Sequence, residues 1–183
     1  MTALLLPGRY RQMPWANGKG VTEEMLRLDG PEGMLLRLSR ASVVEDGEFS
    51  LFAGLERSLT VITGPGFDLV GAEIALQARP LVPVAFAGDV AVRAAGVTAP
   101  SDDFNVMTAR DLPKPRVAVL AAGHQVGGKW LFAYALTAAR VSGRDLPGRG
   151  LLVAEGMIRI EAGGPVIVVS QAGLPEDQMR KIG

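Results

Sequence analysis

Short apolar runs, separated by glycine and proline, follow one another along the whole chain. Residues 35–39 show the pattern clearly, because Leu36 and Leu38 alternate with Arg37 and Ser39. A period of two places the leucines on one face of a strand and the polar pair on the other. The 183 residues include 23 Gly and 12 Pro spread throughout, which predicts many short strands joined by turns rather than long helices.

The same pattern predicts the order of the strands and their division into lobes. Strands are predicted at 34–39, 58–63, 67–70, 73–76, 82–86, 90–94, 105–108, 117–120, 130–136, 151–154, 157–161 and 166–170. Residues 138–150 predict a loop, and the alanine-rich segment 136–140 is an alternative site for a helical turn. Because Pro113 and Pro115 cannot donate to a ladder, we expect a lobe over 1–112 and a second over 113–183, packed as one compact unit. The predicted fold class is all-β, an antiparallel barrel or sandwich.

Charge and composition exclude several classes of protein. The 19 basic and 19 acidic side chains balance, which argues against a nucleic-acid partner, since this needs a basic surface. The chain has no Cys and a single His, His124, so it lacks the usual transition-metal ligands, and we expect neither a metal nor a cofactor. The first residues carry no signal-peptide pattern, and no apolar run reaches the roughly 18 residues that span a bilayer. We therefore expect a cytoplasmic protein without a membrane partner.

Polar side chains inside apolar strands are the first candidates for a binding site, because a polar group on an inward face is costly unless it is paired or binds something. Arg37 and Ser39 share one strand face, about 7 Å apart. A guanidinium fork with a neighbouring hydroxyl suits a carboxylate. The alternative is a solvated outer face, which is the commoner fate of a strand arginine.

A second candidate group surrounds the start of the strand at 58–63. Arg57 opens this strand, and we expect it to be the main receiver of an anion, with Phe49 as a wall of the pocket. The alternative for Phe49 is plain core packing. The alternative for Arg57 is a surface ion pair with Glu56 or Asp46, which contributes little stability.

Two more segments supply candidates. Asn105 and Met107 share a face of the strand at 105–108. The carboxylates of Asp102 and Asp103 follow Pro100 and Ser101, so we expect a solvated turn or cap there rather than an acid–base or cation site.

Near the N-terminus, Trp15 and Asn17 lie in a glycine-rich segment whose amides suit an anion. Turn chemistry alone favours a plain tight turn with Trp15 packed on the core.

Taken together, four stretches resemble the HutD/Ves family: PWANGKGVTEE (14–24), LLRLSRASVVEDGEFSLFAGLERSLTVITGPGF (35–67), VAFAGD (84–89) and DFNVMTAR (103–110). The resemblance implies a cupin-type fold with two β-lobes in one chain, a bicupin, and an association with histidine utilisation, in which HutD limits pathway output. Leu36 stands where the family has tryptophan, and Lys19 where glycine is usual. The ligand-binding residues implied by motif are Trp15, Asn17, Arg37, Ser39, Phe49, Arg57, Asn105 and Met107.

The leading hypothesis is a metal-independent protein that binds a small anionic metabolite, a carboxylate or formyl compound, and regulates histidine utilisation. The alternative is a metal-free cupin enzyme, an isomerase, lyase or hydrolase, with Asp46, Glu48 or Asp103 as its base. A third hypothesis is a scaffold that forms a homodimer through exposed edge strands.

Overall fold

Strands form nearly all of the regular structure. The computed structural model describes residues 2–14 and 20–182, and in this part of the chain no helix is long and apolar enough to cross a membrane. The prediction of an all-β fold is confirmed. In chain order the elements are β1 (Thr2–Leu5), a 3-10 turn (Pro7–Arg9), β2 (Arg11–Pro14), β3 (Val21–Gly30), β4 (Gly33–Val43), β5 (Gly47–Glu48), β6 (Leu55–Thr63), β7 (Phe67–Val70), β8 (Ala75–Ala78), β9 (Val84–Ala87), β10 (Arg93–Ala95), β11 (Ser101–Ala109), β12 (Arg116–Leu120), β13 (Gln125–Ala135), β14 (Ala139–Val141), β15 (Arg144–Leu146), β16 (Leu151–Gly163), β17 (Val166–Gln171) and α1 (Glu176–Met179).

The chain divides into two compact units. One unit is Arg11–Arg110, and the other combines Met1–Tyr10 with Asp111–Gly183. The sequence assigned β1 to the first lobe, whereas β1 pairs with β16, with Thr2 opposite Ala154. This pairing joins distant parts of the chain, so no local pattern reveals it.

The unit Arg11–Arg110 is built from two open sheets within its described residues. Their strand orders are β2-β3-β4-β11-β6-β9 and β5-β10-β7-β8. Leu59 and Val61 from the first sheet share one core with Phe67 and Leu69 from the second, as in a sandwich of two packed sheets. No pairing among these residues closes either sheet into the barrel that the sequence offered as an alternative.

The other unit contains a sheet with strand order β12-β17-β13-β16-β14-β15, and β1 lies beside β16. Residues 138–150 do not form a loop, because β14 and β15 pair as a hairpin. Ser142 and Gly143 connect them with φ angles of 48° and 75°. Two consecutive positive φ angles fit the twist of a two-residue hairpin, which the sequence reading overlooked.

β11 begins four residues before the strand predicted at 105–108. Asp102 and Asp103 therefore lie inside a strand, and the expectation of a solvated turn is wrong. β3 was also overlooked, because its four charged residues obscure its period-two pattern.

The turn between β6 and β7 generates a prediction about stability. Gly66 has a φ of 85°, and a Cβ at this position would overlap the carbonyl oxygen of Ala78. We expect Gly66→Ala to lower the free energy of unfolding by about 3 kcal/mol or more, measured by urea denaturation.

Gly54→Ala is the matched control, because Gly54 has a φ of 74° with open space around it. We expect this control to lower the free energy of unfolding by about 1–2 kcal/mol. Equal losses for the two variants would show that the overlap with Ala78 does not matter.

Candidate functional site

A cavity of about 630 Å³ lies in the unit Arg11–Arg110. This volume is in the range of small-molecule sites, roughly 300–1,000 Å³. Its lining contains six of the eight residues predicted from the sequence: Arg37, Ser39, Phe49, Arg57, Asn105 and Met107. The other two, Trp15 and Asn17, lie outside the described residues.

Strand register explains why these side chains converge. β11 lies between β4 and β6 in the sheet. Met107 lies opposite Arg37 on β4 and Arg57 on β6, and Asn105 lies opposite Ser39. Because alternate residues of a strand share a face, these side chains form two neighbouring rows on the same side of the sheet.

The Arg57 guanidinium lines the cavity and is buried, since the residue is only 5% exposed. Its Nη1 donates to the carbonyl oxygen of Ser50 at 3.3 Å, and its Nη2 donates to Asn105 Oδ1 at 3.2 Å. The rings of Phe49, Phe52 and Phe86 surround Cζ, with centroids at 5.3, 5.3 and 5.0 Å. The surface ion pair considered from the sequence is therefore wrong for Arg57.

This guanidinium has hydrogen-bonding capacity to spare. Nε is buried without a hydrogen-bond partner among the described residues, and within the same residues Arg57 forms no ion pair. Burial lowers the pKa of Arg57 to about 10, although the nearby Asp103 opposes this shift. The group stays cationic at neutral pH, so a buried positive charge lies in the wall of the cavity.

Asp103 is a component of the site that the sequence reading placed in solvent. It is fully buried and belongs to the cavity wall. Its Oδ1 accepts a hydrogen bond from Asn105 Nδ2, while Oδ2 has no partner among the described residues. Burial raises the pKa of Asp103 to about 7, against the opposing effects of Arg57 and Asn105. Asp103 continues the period-two spacing of Met107 and Asn105 along β11. This spacing is the sequence signal that places Asp103 on the same face as those two residues.

The adjacent carboxylate of Asp102 has the opposite character. It accepts hydrogen bonds from Arg40, Ser42 and Thr63. Burial by itself would raise the pKa of Asp102, but the bonds from Ser42 and Arg40 lower it overall. Asp102 is thus a satisfied structural anion, whereas Asp103 is a titratable group inside the cavity.

Arg37 is less available for a ligand than Arg57. Its Nε donates to Glu24 Oε2 at 2.8 Å, and both side chains are about nine-tenths buried. The solvated outer face considered for Arg37 is therefore wrong. Since Glu24 already neutralises this guanidinium, we assign Arg37 a secondary role.

The segment 44–50 forms an exposed rim of the cavity. Val44 is 43% exposed, and Glu45, Asp46 and Glu48 are also exposed. The backbone amides of Val97 and Gly96 donate to Asp46 and lower its pKa. Asp46 is therefore held in its ionised form, and the buried carboxylate in this cavity is Asp103.

No group of three or more His, Asp or Glu residues is placed to hold a metal ion among residues 2–14 and 20–182. His124 lies in an exposed turn, with Nδ1 3.0 Å from the carbonyl oxygen of Ala121.

A smaller cavity of about 370 Å³ lies in the other unit, lined by Trp130, Glu155, Glu176 and Arg180. Lys129 Nζ bridges Glu155 and Glu176 at 2.8 and 2.9 Å. Because these exposed carboxylates are already neutralised, we take the larger cavity as the candidate site.

Comparisons with known proteins identify the family. The sequence model of HutD matches residues 8–164. The chain belongs to the HutD family. Its relative in Pseudomonas putida, described as a 21.2 kDa protein in the hutC 3′ region, is 40% identical over 111 residues. That alignment spans 58% of this chain and 57% of the relative, so this chain matches little more than half of the relative's length.

Solved structures of this HutD-family fold agree over nearly the whole chain. HutD from Pseudomonas fluorescens SBW25, determined in a formate condition, is 29% identical with a TM-score of 0.81 and covers 94% of this chain and 100% of its own. A conserved protein of Pseudomonas aeruginosa PAO1 is 30% identical with a TM-score of 0.79, covering 92% of this chain and 96% of its own. The cupin-like pirin YhhW of Escherichia coli, at 7% identity and a TM-score of 0.66 over 95% of this chain and 100% of its own, shows the shared fold alone.

The raised pKa of Asp103 predicts an unusual dependence of stability on pH. Because its folded pKa of about 7 lies above the ordinary value of about 3.9, Asp103 stabilises the fold below pH 4, and this contribution disappears as the pH rises through 7. We expect the free energy of unfolding of Asp103→Asn, relative to that of wild type, to increase by on the order of 2–4 kcal/mol as the pH rises from 5 to 8. Urea denaturation at each pH measures this difference.

The control is Asp46→Asn, whose exposed carboxylate has a lowered pKa. Its difference from wild type should stay constant between pH 5 and pH 8 and change only at lower pH. Parallel stability curves for wild type and Asp103→Asn would contradict the assignment.

Proposed function

We propose that this protein binds a small carboxylate or formyl-type metabolite in the Arg57 cavity, without a metal ion, and regulates histidine utilisation through that binding. The observation that carries the proposal is a buried guanidinium in the lining of a cavity of about 630 Å³, whose Nε has no hydrogen-bond partner among the described residues. Burying a cation without an ion pair is costly, and a bound anion offsets that cost.

The surroundings of Arg57 support a planar anion. The fork of an arginine matches the two oxygens of a carboxylate, and Asn105 and Ser39 supply further hydrogen-bonding groups in the adjacent row. Phe49 and Met107 provide apolar walls beside these polar groups. A few convergent polar groups within apolar walls are typical of small-molecule sites.

Family membership supports the connection with histidine utilisation. The Pseudomonas putida relative is described by its position in the hutC 3′ region. The division into two β units supports a bicupin. The relationship to Ves, the cytoplasmic location and the homodimer remain predictions. Sedimentation at several protein concentrations tests the homodimer.

Removing the guanidinium tests the proposed site directly. We expect Arg57→Met, which keeps an unbranched apolar stem among the phenylalanines, to weaken binding at least about 100-fold, since it removes a charge-assisted bidentate contact. Isothermal titration with urocanate, N-formimino-L-glutamate, N-formyl-L-glutamate and formate at pH 6 measures the loss.

Arg79→Met is the matched control, because Arg79 is half-exposed and paired with Asp68 at 2.7 Å. This control should bind as wild type does, and Arg57→Lys, which keeps the charge without the fork, should bind with intermediate affinity. The proposal fails if wild type binds none of the four acids, or if Arg57→Met binds them equally well.

A metal-free enzyme is a second candidate, which the titratable, buried Asp103 favours. A carboxyl group with a pKa near the working pH suits general acid–base catalysis. Glu48 and Asp46 lie on the exposed rim, so Asp103 is the base to test. We expect no turnover of the four acids by ¹H NMR over a day, and product formation that disappears in Asp103→Asn would establish the enzyme instead.

A further inference from the structure

We propose that Asp103 completes the anion site as a neutral carboxylic acid that donates a hydrogen bond to the bound anion, so that each anion enters together with one proton. This inference rests on the proposed binding function and adds a specificity-determining residue and a dependence on pH. From the sequence alone, Asp103 is only a candidate base of the alternative enzyme and is otherwise expected in a solvated turn.

The geometry places Asp103 at the end of a short polar chain. Arg57 Nη2 donates to Asn105 Oδ1 at 3.2 Å, and Asn105 Nδ2 donates to Asp103 Oδ1. Asn105 Oδ1 and Asp103 Oδ1 each accept one of these hydrogen bonds. Asp103 Oδ2 is left as a buried polar atom without a partner in the described part of the chain. An unsatisfied buried oxygen is costly, and a proton on Oδ2 shared with an anion satisfies it.

The charged groups around Asp103 include the adjacent Asp102, which raises its pKa, and side chains of the strands on both sides. β6 contributes Arg57. β4 contributes Arg40, which is paired with Asp102, and Arg37, which is paired with Glu24 at 2.8 Å. On the rim, Asp46 is held by backbone amides and by Arg93 at 3.7 Å, while Glu45 and Glu48 are exposed.

Within the described residues, Arg57 is therefore the cavity cation that is not already paired with another carboxylate and that Asp103 balances when it is ionised. An ionised Asp103 cancels the charge of Arg57, so an incoming anion would leave a net negative charge in a buried site. A neutral Asp103 leaves the charge of Arg57 for the anion. The balanced step is an ionised Asp103 plus one proton from solvent plus one anion, giving a protonated Asp103 hydrogen-bonded to that anion.

The raised pKa of Asp103, about 7, makes this coupling visible in an ordinary buffer range. Below pH 6 the carboxyl is already protonated, and binding requires no proton uptake. Above pH 7 Asp103 has to take up a proton from solvent when the anion binds, so the dissociation constant rises with pH. If the pKa of Asp103 increases by two units or more when the anion binds, the dissociation constant is about tenfold larger at pH 8 than at pH 6.

The test is isothermal titration of N-formyl-L-glutamate and of formate at pH 6 and pH 8, each in two buffers with different ionisation enthalpies. The carboxyl groups of both probes titrate below this range. In wild type at pH 8 we expect uptake of close to one proton per anion and binding about tenfold weaker than at pH 6. In Asp103→Asn, whose amide keeps an acceptor for Asn105, we expect no proton uptake and less than about a twofold change with pH.

A second readout does not depend on the variant. The carboxyl ¹³C shift of Asp103 in labelled wild type at pH 8 should change from the ionised to the protonated position when the anion binds. Binding without proton uptake and without this change overturns the role of Asp103 but leaves the anion site at Arg57 intact. Absence of binding by both probes at both pH values overturns the proposed function as well.

Discussion

The buried guanidinium of Arg57 is the interaction on which the rest of the site depends. A cation inside a low-dielectric cavity costs several kcal/mol unless it is compensated. Three aromatic rings, the carbonyl oxygen of Ser50 and the amide oxygen of Asn105 supply part of that compensation. Within the described residues none of these partners carries a negative charge. Asp103 is the nearby group of opposite charge, and because its pKa is raised by burial, it compensates Arg57 only when it is ionised.

The two arginines of the cavity show how similar positions acquire different roles. Arg37 and Arg57 lie in the same row, on either side of Met107. β3 brings Glu24 beside Arg37, and the resulting buried pair is closed at 2.8 Å. β9, on the other side of β6, brings Phe86 to Arg57 instead of a carboxylate. The neighbouring strand thus decides which guanidinium is paired with a carboxylate and which is packed against an aromatic ring.

Two adjacent aspartates show the same principle along a single strand. Asp102 and Asp103 point to opposite faces of β11, because successive residues of a strand alternate. One face provides Arg40, Ser42 and Thr63, and the other provides a single amide from Asn105. Burial raises the pKa of Asp103, because the bond from Asn105 only partly opposes it, whereas the hydrogen bonds to Asp102 outweigh burial and lower its pKa. Of these two aspartates, Asp103 has the pKa that lies near neutral pH, at about 7.

The all-β class, the family motifs and most of the candidate side chains could be predicted from the sequence alone, because strand periodicity and glycine-rich turns are local properties. Six of its eight site residues line one cavity. Tertiary structure decided which residues are buried, and therefore which arginine is compensated, because burial depends on strand register and on neighbours distant in the chain. It moved Asp103 from an expected turn into the core, paired β1 with β16, and left the sheets of the Arg11–Arg110 unit open. The chemistry of the site follows from those long-range pairings, since the pKa of a carboxyl group depends on its surroundings in space rather than in sequence.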